Sequence, residues 1–341
     1  MLNNKKAILS IFCVMFGLVI LMGADPAREA DRERYEEKFE QSVSLARDGR
    51  IILRNISGDI EVKVWDKAEV QIQALKVSRT DSEELAKKNF EKVTIEVSKD
   101  GNTLRIETKR DKEYFKRSSN KKNVTVDYWL TIPARAAADM RSVSGDIVME
   151  DIGDDAKADT VSGDIDMTGI AGILKAYAVS GDLTITGAES GVDCETVSGE
   201  LKIRRVKGGA DLKTVSGDIL LENSQGDVEA EVVSGDIELI DISGADEIKS
   251  KSMSGSVKYV GSLSRDGSYN FNSLNGDVTL LLPSNSAFEL YAKTFSGDIN
   301  TDFEITLSGK LSKKELRGEV NGGGAELTVK TFNGDVHLKK R

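Results

Sequence analysis

The chain has 341 residues, 39% of them hydrophobic, with 31 glycines, only three prolines and a formal net charge of -10. Many glycines with few prolines are typical of short strands joined by tight turns. The negative charge argues against a nucleic-acid-binding protein, which needs a basic face to displace counterions from phosphates.

Segment 1–24 has the composition of a secretory signal. Lys5 and Lys6 precede an apolar run, 7–22, which small residues and then a charged stretch follow. If this segment were not cleaved, it would be an N-terminal anchor and the only part of the protein in contact with a membrane. We therefore expect an exported protein, in the periplasm or at the cell surface, in which residues 25–38 form a charged linker.

Residues 39–140 contain several short alternating segments and one helical segment. Alternation of apolar and polar residues predicts strands at 39–45, 60–64, 70–72, 94–97, 104–106 and 124–132. The turn residues at 100–102 predict that 94–97 and 104–106 form a hairpin. A capping box that begins at Thr80 predicts a helix with Ala86, Phe90 and Val93 on one face. Because an open strand edge invites aggregation, we expect this region to cap the N-terminal end of the domain that follows it.

From residue 141 to the C-terminus the sequence repeats itself. A Val-Ser-Gly-Asp-Ile motif, with small variations, recurs with a constant period, at Val143, Val161, Val179, Val197, Val215 and Val233; related motifs then follow at spacings of 20, 21 and 21. A last copy starts at Phe332, and an isolated copy starts at Ile56. Glycine also recurs nine residues after several of the motif glycines, so each period divides into two halves, each a turn followed by a short strand.

Stacking such units buries apolar rows that a single unit would leave exposed. The sequence therefore predicts an all-β, single-stranded parallel β-solenoid over 141–341, with 18-residue coils of two nine-residue halves stacked about 4.8 Å apart. We expect the apolar positions to point inward, which in one unit are Val161, Ile165, Met167, Ile170, Ile173 and Ala176. The corners are expected at glycines, which adopt unusual backbone angles at no steric cost. These turn glycines are Gly145, Gly163, Gly181, Gly199, Gly217 and Gly235.

The motif acid is the strongest candidate for a ligand site. Stacking would place Asp146, Asp164, Asp182, Glu200, Asp218 and Asp236 in one column along the solenoid. Two unit charges about 4.8 Å apart repel by about 0.9 kcal/mol even in water, so backbone N–H groups of the turn or bound Ca²⁺ should compensate. The Gly-Gly-x-Gly-x-Asp turn of calcium-binding β-rolls is absent, which favours the backbone. We expect any calcium binding by these aspartates to be weak, and no cofactor to be required.

Two further groups of side chains are candidates for partner binding. Lys202, Arg204 and Arg205 cluster on one strand, where they form either a solvated face or a partner-binding spot. Three tyrosines, Tyr177, Tyr259 and Tyr269, are expected to point outward, but they do not form the row of aromatic faces that a carbohydrate platform offers.

Catalytic residues are hard to place. His337 is the only histidine, so a Ser-His-Asp or a zinc site would have to use it. Cys194 falls at an inward position of the repeat and is expected to be a small buried side chain. Short, uniform turns leave no long loops to build a pocket, so the sequence predicts a protein that is not an enzyme.

The motifs resemble those of a known family, the bacterial β-strand-repeat proteins of unknown function that are regarded as candidate adhesins. The opening segment 55–70, the run of Val-Ser-Gly-Asp units and the closing segment 281–335 carry this resemblance, which covers residues 39–341. It implies a β-helix fold, an envelope location, and adhesion or scaffolding with a protein or polysaccharide partner. It implies no catalytic or ligand residues.

Two alternatives remain open at this point. The first is an envelope-stress or regulatory accessory protein. The second is a carbohydrate-active β-helix enzyme, which would need a cleft lined by acids and aromatics within 246–273.

Overall fold

The computed structural model describes residues 33–111, 124–307, 312 and 314–341. The predicted signal or anchor, 1–24, lies outside the described residues. Within them the chain forms two long sheets joined by tight corners, and one helix, α1 (Glu83–Phe90). No helix in these ranges is long and apolar enough to cross a membrane. The all-β, mostly parallel architecture expected from the repeat is confirmed.

The first sheet, sheet A, has 14 strands, which are numbered along the chain. In spatial order they are β1 (Glu33–Ser44), β4 (Glu69–Thr80), β7 (Val124–Pro133), β3 (Ile60–Trp65), β9 (Ile147–Glu150), β11 (Ile165–Ile170), β13 (Leu183–Ala188), β15 (Leu201–Val206), β17 (Ile219–Glu222), β19 (Ile237–Ile242), β21 (Val257–Gly261), β23 (Val278–Leu282), β29 (Val336–Lys340) and β25 (Ile299–Thr301).

The second sheet, sheet B, has 15 strands and faces sheet A across the core. In spatial order they are β26 (Thr306–Leu307), β27 (Glu315–Val320), β24 (Phe288–Ser296), β28 (Ala325–Asn333), β22 (Ser268–Asn275), β20 (Glu247–Ser254), β18 (Val228–Ser234), β16 (Ala210–Ser216), β14 (Val192–Ser198), β12 (Leu174–Ser180), β10 (Ala156–Ser162), β8 (Ala137–Ser144), β2 (Arg50–Arg54), β6 (Thr103–Arg110) and β5 (Val93–Asp100).

Successive coils pair in parallel with a constant offset through the body of the solenoid. Ala156 lies opposite Leu174, which lies opposite Val192, so paired residues are 18 positions apart. The offset widens to 20 where Val228 pairs with Ile248 and to 21 where Ile248 pairs with Tyr269. The wider offsets follow the looser motif spacing in the sequence.

The core lies between the sheets, where equivalent residues stack in columns. The column that begins each strand of sheet A contains Ile165, Leu183, Leu201, Ile219 and Ile237, each at most 1% exposed. A fully buried aliphatic side chain of this size contributes about 1.5–3 kcal/mol. These residues follow the motif acid in sequence, and their predicted inward position is confirmed.

Chain order and spatial order differ at the C-terminal end. Strand β28 lies between β22 and β24, and β29 lies between β23 and β25. The last motif of the sequence therefore fills the penultimate coil. Strand β27 runs antiparallel to β24, covers its outer edge and returns the chain, so that β28 enters parallel on the other side. Stacking in chain order holds only for the body.

The N-terminal end differs from the sequence prediction in three details. Strand β1 begins at Glu33 and pairs antiparallel with β4, so residues 33–38 are not a linker. The helix is capped by Ser82, whose Oγ accepts the N–H of Leu85 at 3.4 Å, whereas Thr80 ends β4. Val93 belongs to β5, which forms the predicted hairpin with β6. The local sequence predicts that these strands and this helix exist, but pairing with other strands determines the residues at which they begin and end.

Candidate interaction surface

The turn glycines form the corners where sheet B passes to sheet A. All six predicted ones have φ between 137 and 158°. At Gly181 an added Cβ would lie 1.9 Å from the carbonyl oxygen of Gly163 in the preceding coil. The N–H of Gly181 meanwhile donates to the carbonyl of Ser198 in the following coil at 3.0 Å. Only glycine lets coils approach this closely at the corner.

The motif acids form one column along this corner, which we call the acid column. It extends beyond the residues that the regular period picks out. In spatial order it contains Asp59, Asp146, Asp164, Asp182, Glu200, Asp218, Asp236, Asp277, Asp335 and Asp298. Ser256 replaces the acid at one level, between Asp236 and Asp277.

Eight of the ten carboxylates of the column, all of them aspartates, cap the backbone of the next coil. Oδ1 of Asp146 accepts the N–H of Asp164 at 2.8 Å, and Oδ1 of Asp164 accepts that of Asp182 at 2.8 Å. The same bond recurs from Asp236 to the N–H of Ser256 at 2.7 Å. The backbone therefore compensates part of the repulsion along the column, through N–H groups of the neighbouring coil rather than of the same turn.

Calcium binding by the column stays a prediction. One oxygen of each capping aspartate is already held by a backbone N–H group. No three carboxylate, histidine or cysteine side chains among the described residues converge on a point where a metal ion would sit. A calcium ion normally takes six to eight oxygen ligands, which a single line of carboxylates on one corner does not supply.

The valine of the motif does not point inward, contrary to the prediction. Val143, Val215 and Val233 are 45%, 45% and 39% exposed, and Ile173 at the second turn is 49% exposed. In a strand only alternate residues face the core. The residue that precedes each motif valine, such as Thr214, faces the core, so the valine faces outward.

In most coils the inward residue before the valine donates a hydrogen bond to a carbonyl group at the corner. The hydroxyl of Thr214 donates to the carbonyl of Gly199 at 3.3 Å, and that of Thr331 donates to the carbonyl of Gly276 at 2.9 Å. The same bond is made by Ser142, Thr160, Thr196, Ser252, Ser273 and Thr294. A partly buried carbonyl gains from a donor, so a hydroxyl residue is favoured at this inward position, although Ala178 and Val232 hold it in two coils.

The outward motif residues form a continuous line on sheet B, which we call the apolar ridge. In spatial order it contains Ile56, Val143, Val161, Val179, Val197, Val215, Val233, Met253, Leu274, Phe332 and Phe295. Ten steps of about 4.8 Å make it about 48 Å long. Its side chains grow towards the C-terminal end, where the rings of Phe332 and Phe295 stack at 4.6 Å with Phe295 67% exposed. The motif valine that forms the ridge is visible in the sequence, but the prediction placed it on the inner face of the strand instead of the outer face.

A second column of left-handed residues lies at the end of the strands of sheet A. Its members, one in each coil, are Asp151, Gly169, Gly187, Arg205, Asn223 and Asp241, with φ between 52 and 76°. Arg205 therefore sits at a corner. Its predicted cluster partners are neutralised, since Lys202 pairs with Glu200 at 2.5 Å and Arg204 with Glu222 at 2.6 Å. The sequence did not reveal this column, because its residue types vary.

Two of the three predicted outward tyrosines are buried. Tyr259 and Tyr269 are 0% and 1% exposed, and their hydroxyls donate to the carbonyls of Ser262 and Ala245, both at 2.7 Å. The wider coils in this region make room for the rings. Tyr177 is partly exposed and donates to Asp193 at 2.6 Å. Partial burial and this hydrogen bond raise the pKa of Tyr177.

The remaining candidates lie apart from one another. Cys194 is 1% exposed, and burial raises the pKa of its thiol. His337 lies on β29, its Nε2 4.0 Å from a carboxylate oxygen of Asp335. An open, shallow depression over Gly191, Gly208 and Gly209 is lined by acids and lysines, including Asp193, Asp211, Glu229, Lys175 and Lys249. Its lining contains no aromatic side chain.

The fold and its corners define a class, the two-sheeted parallel β-solenoids with a glycine at each corner, followed by an acid in all coils but one. A family model described as Toastrack DUF4097 matches residues 50–264 and 260–339. The chain belongs to this family. The resemblance to β-strand-repeat proteins of unknown function is thereby confirmed.

Solved structures that are similar to this chain come from several bacteria. A candidate adhesin from Bacteroides fragilis is 12% identical over 89% of this chain and 97% of its own, with a TM-score of 0.32. A candidate adhesin from Parabacteroides distasonis is 12% identical over 89% of this chain and 97% of its own, with a TM-score of 0.31. A candidate cell adhesion protein from Clostridium sporogenes is 11% identical over 90% of this chain and 100% of its own, with a TM-score of 0.21. No curated protein matched the chain.

Proposed function

We propose that this protein is an exported, non-catalytic envelope protein that acts as an adhesin or scaffold and binds a protein or polysaccharide partner along the apolar ridge. The observation that carries the proposal is the ridge itself, an unbroken line of half-exposed aliphatic side chains that ends in two exposed phenylalanines. Contiguous exposed apolar surface of this kind marks interaction sites, whereas scattered exposed apolar residues need no explanation.

The shape of the ridge favours an extended partner over a globular one. It is about 48 Å long but only one side chain wide. A stable interface between two globular surfaces takes about 800 Å² from each partner, which a strip of this width does not offer. A single extended chain, either a polypeptide or a glycan, matches the strip in length and width.

Stacking within the protein explains only part of the ridge. Equivalent side chains on neighbouring strands, such as Val179 and Val197, stabilise the sheet by about 0.2–1 kcal/mol per pair. Threonine would supply the same branched shape and strand propensity without exposing a second methyl group. Phe295, at 67% exposure, gains little from its neighbours compared with the area it leaves in water.

Three substitutions in the ridge test the proposal. Val179→Thr, Val197→Thr and Val215→Thr together preserve side-chain volume but add three hydroxyls to the ridge. The measured quantity is retention of the protein on purified, insoluble envelope polysaccharide, and in parallel its cross-linking to envelope proteins in intact cells. We expect the triple variant to lose retention or cross-linking by about tenfold or more, since each buried methyl group contributes about 0.8 kcal/mol to binding.

A control variant carries three threonine substitutions on the opposite face. Val148, Leu220 and Val260 lie on the outer face of sheet A with partial exposure, and their replacement by threonine leaves the ridge intact. We expect this control to bind as the wild type does. Equal binding by both triple variants, in both assays, would show that the ridge is not the contact surface.

A further inference from the structure

We propose that the apolar ridge and the acid column together bind an extended cationic polypeptide, with its apolar side chains on the ridge and its lysines or arginines against the carboxylates. This inference rests on the proposed function, in which the ridge is the contact surface, and it specifies the chemistry of the partner.

Acidic side chains accompany the ridge over nearly its whole length. Each ridge residue is followed three positions later by the residue of the corner column. Ten of the eleven ridge levels carry an acid there, and Ser256 is the exception. The ridge is therefore bordered on one side by a wall of uniform negative charge, within a chain whose formal net charge is -10.

Most of these carboxylates are not neutralised within the protein. Two members of the column have a lysine nearby: Asp298 lies 3.7 Å from Lys314, and Glu200 lies 2.5 Å from Lys202. Among the described residues, no lysine or arginine forms an ion pair with Asp146, Asp164, Asp182, Asp218 or Asp236. A backbone N–H bond fixes each of these five carboxylates in place, so they present ordered, unpaired negative charge to a ligand.

The other side of the ridge carries no uniform charge. The outward residues two positions before the ridge include Arg141, Asp159, Glu195, Lys213 and Glu231, with both signs along the solenoid. Several of them are paired, as Arg141 is with Asp159 at 2.9 Å. A cationic chain would therefore be directed to the corner side of the ridge. An anionic polysaccharide, an anionic membrane or a second copy of this acidic chain would be repelled from it.

The spacing of the coils favours a particular backbone conformation in the ligand. Polyproline II repeats every three residues with a rise of about 3.1 Å per residue, or about 9.3 Å per turn. Two coils of the solenoid span about 9.6 Å. A chain with a period of three residues thus presents equivalent side chains to every second coil, whereas a β-strand, with about 6.8 Å between side chains on one face, falls out of step.

A synthetic peptide of repeated Lys-Val-Pro units tests this chemistry directly. About 15 residues in polyproline II span about 46 Å, close to the length of the ridge. Binding of the fluorescent peptide to protein purified from the envelope of expressing cells is measured by anisotropy. Two control peptides carry Glu-Val-Pro and Lys-Ser-Pro repeats. We expect the Lys-Val-Pro peptide to bind, its affinity to fall as NaCl is raised, and both controls to bind at least about tenfold more weakly.

The acid column is tested by replacing Asp164, Asp182, Asp218 and Asp236 with asparagine in one variant. The asparagine Oδ1 still accepts the backbone N–H group, so the fold keeps its caps while four negative charges are lost. Each exposed pair contributes about 0.2–1 kcal/mol, so we expect the peptide to bind about tenfold more weakly, with a smaller salt dependence.

A control variant removes four charges elsewhere. Glu150→Gln, Glu189→Gln, Glu222→Gln and Asp241→Asn replace acids at the far ends of β9, β13, β17 and β19 and change the net charge by the same amount. We expect its affinity to stay within about twofold of the wild type, because these charges lie at the other end of the sheet A strands, more than a Debye length from the column.

The outcomes separate this inference from the proposed function. Equal loss in the two charge variants, or tight binding of the Glu-Val-Pro peptide, would overturn the cationic-partner inference. So would a wild-type protein that binds none of the peptides but is retained on polysaccharide through the ridge, a result that leaves the proposed function standing. If the ridge variants bind every partner as the wild type does, both proposals fail.

Discussion

The carboxylate of Asp164 accepts a hydrogen bond from the backbone N–H group of Asp182, 2.8 Å away in the next coil of the solenoid. One residue type thus performs two roles at the corner of the repeat. It caps the backbone of its neighbour, and it adds a negative charge to an exposed column. The two roles can be separated by substitution, because the amide of asparagine retains the acceptor and removes the charge.

The capping role predicts a difference in stability between two replacements of Asp164. Asp164→Ala removes the acceptor of the Asp182 N–H group and should lower the free energy of unfolding by about 1.5–3 kcal/mol, the usual contribution of a hydrogen bond to a charged group. Asp164→Asn should recover most of that loss. Urea unfolding followed by circular dichroism measures both. Equal destabilisation by alanine and asparagine would mean that the hydrogen bond contributes nothing.

Two glycines of one coil should respond differently to alanine. At Gly181 the new Cβ would lie 1.9 Å from the carbonyl oxygen of Gly163, whereas at Gly187 its nearest neighbour is the nitrogen of Gly169 at 3.8 Å. Both have positive φ, which costs about 1–2 kcal/mol for an L-residue. Gly187→Ala should therefore cost about that much, and Gly181→Ala well over about 3 kcal/mol or prevent folding. Melting temperatures of the two variants measure this difference. Similar melting temperatures would contradict the close contact between position 181 and the Gly163 carbonyl.

The buried hydroxyl column predicts a reciprocal pair of substitutions. Thr214→Val deletes the donor to the Gly199 carbonyl and should destabilise the protein by about 0.5–1.5 kcal/mol. The adjacent coil has Val232 at the same inward position, 3% exposed, so Val232→Thr can form the equivalent bond to the carbonyl of Gly217. We expect the second change to be neutral or stabilising. Destabilisation of similar size by both changes would indicate that packing, and not the hydroxyl, governs this column.

The pH dependence of stability should show the effect of Asp127. Burial raises the pKa of Asp127 above its ordinary value of 3.8, with a smaller opposing effect from its hydrogen bond to the N–H group of Asp59. The folded state therefore binds this proton more tightly than the unfolded state does. The protonated Asp127 contributes fully to the free energy of unfolding below the ordinary pKa, and this contribution is lost as pH rises through the raised pKa.

Asp127→Asn removes that titration and keeps the acceptor. We expect the variant to gain stability over the wild type at pH 7, by less than about 1 kcal/mol because the group is half exposed, and to lose this advantage near pH 3.5. Denaturant titrations at the two pH values measure the difference. A gain that is the same at both values would show that charge is not its origin.

Much of this architecture follows from local sequence. The recurrence of Gly181 and its equivalents once in each coil predicts the corners, because a positive φ and a close carbonyl leave no other residue type without strain. Ile165 and Met167, which follow the motif acid, are predicted to face the core, and both are fully buried. The hairpin of β5 and β6 was also predicted, since its residues are neighbours in the sequence.

The side that each motif valine faces was decided only in the folded structure. Thr214 and Val215 are both β-branched and suit a strand equally well, so alternation alone does not reveal which of them is inside. In this coil the inward hydroxyl meets the Gly199 carbonyl, which belongs to another coil and is not visible in the local pattern. The burial of Tyr259 likewise depends on the space that the wider coils leave between the two sheets.

What the sequence determined by itself is the repeat: its period, its glycine corners and the parallel sheets that stacked coils must form. What only the tertiary structure decided is the order of the last coils and the composition of the outer surface. Strand β28 enters between β22 and β24 because β27 turns the chain back, a long-range pairing that no local pattern records. A corner is determined by the steric contact between one glycine and the equivalent glycine of the next coil, which the repeat itself encodes. The outer surface is determined by contacts between residues far apart in the sequence, which decide which side chains are buried.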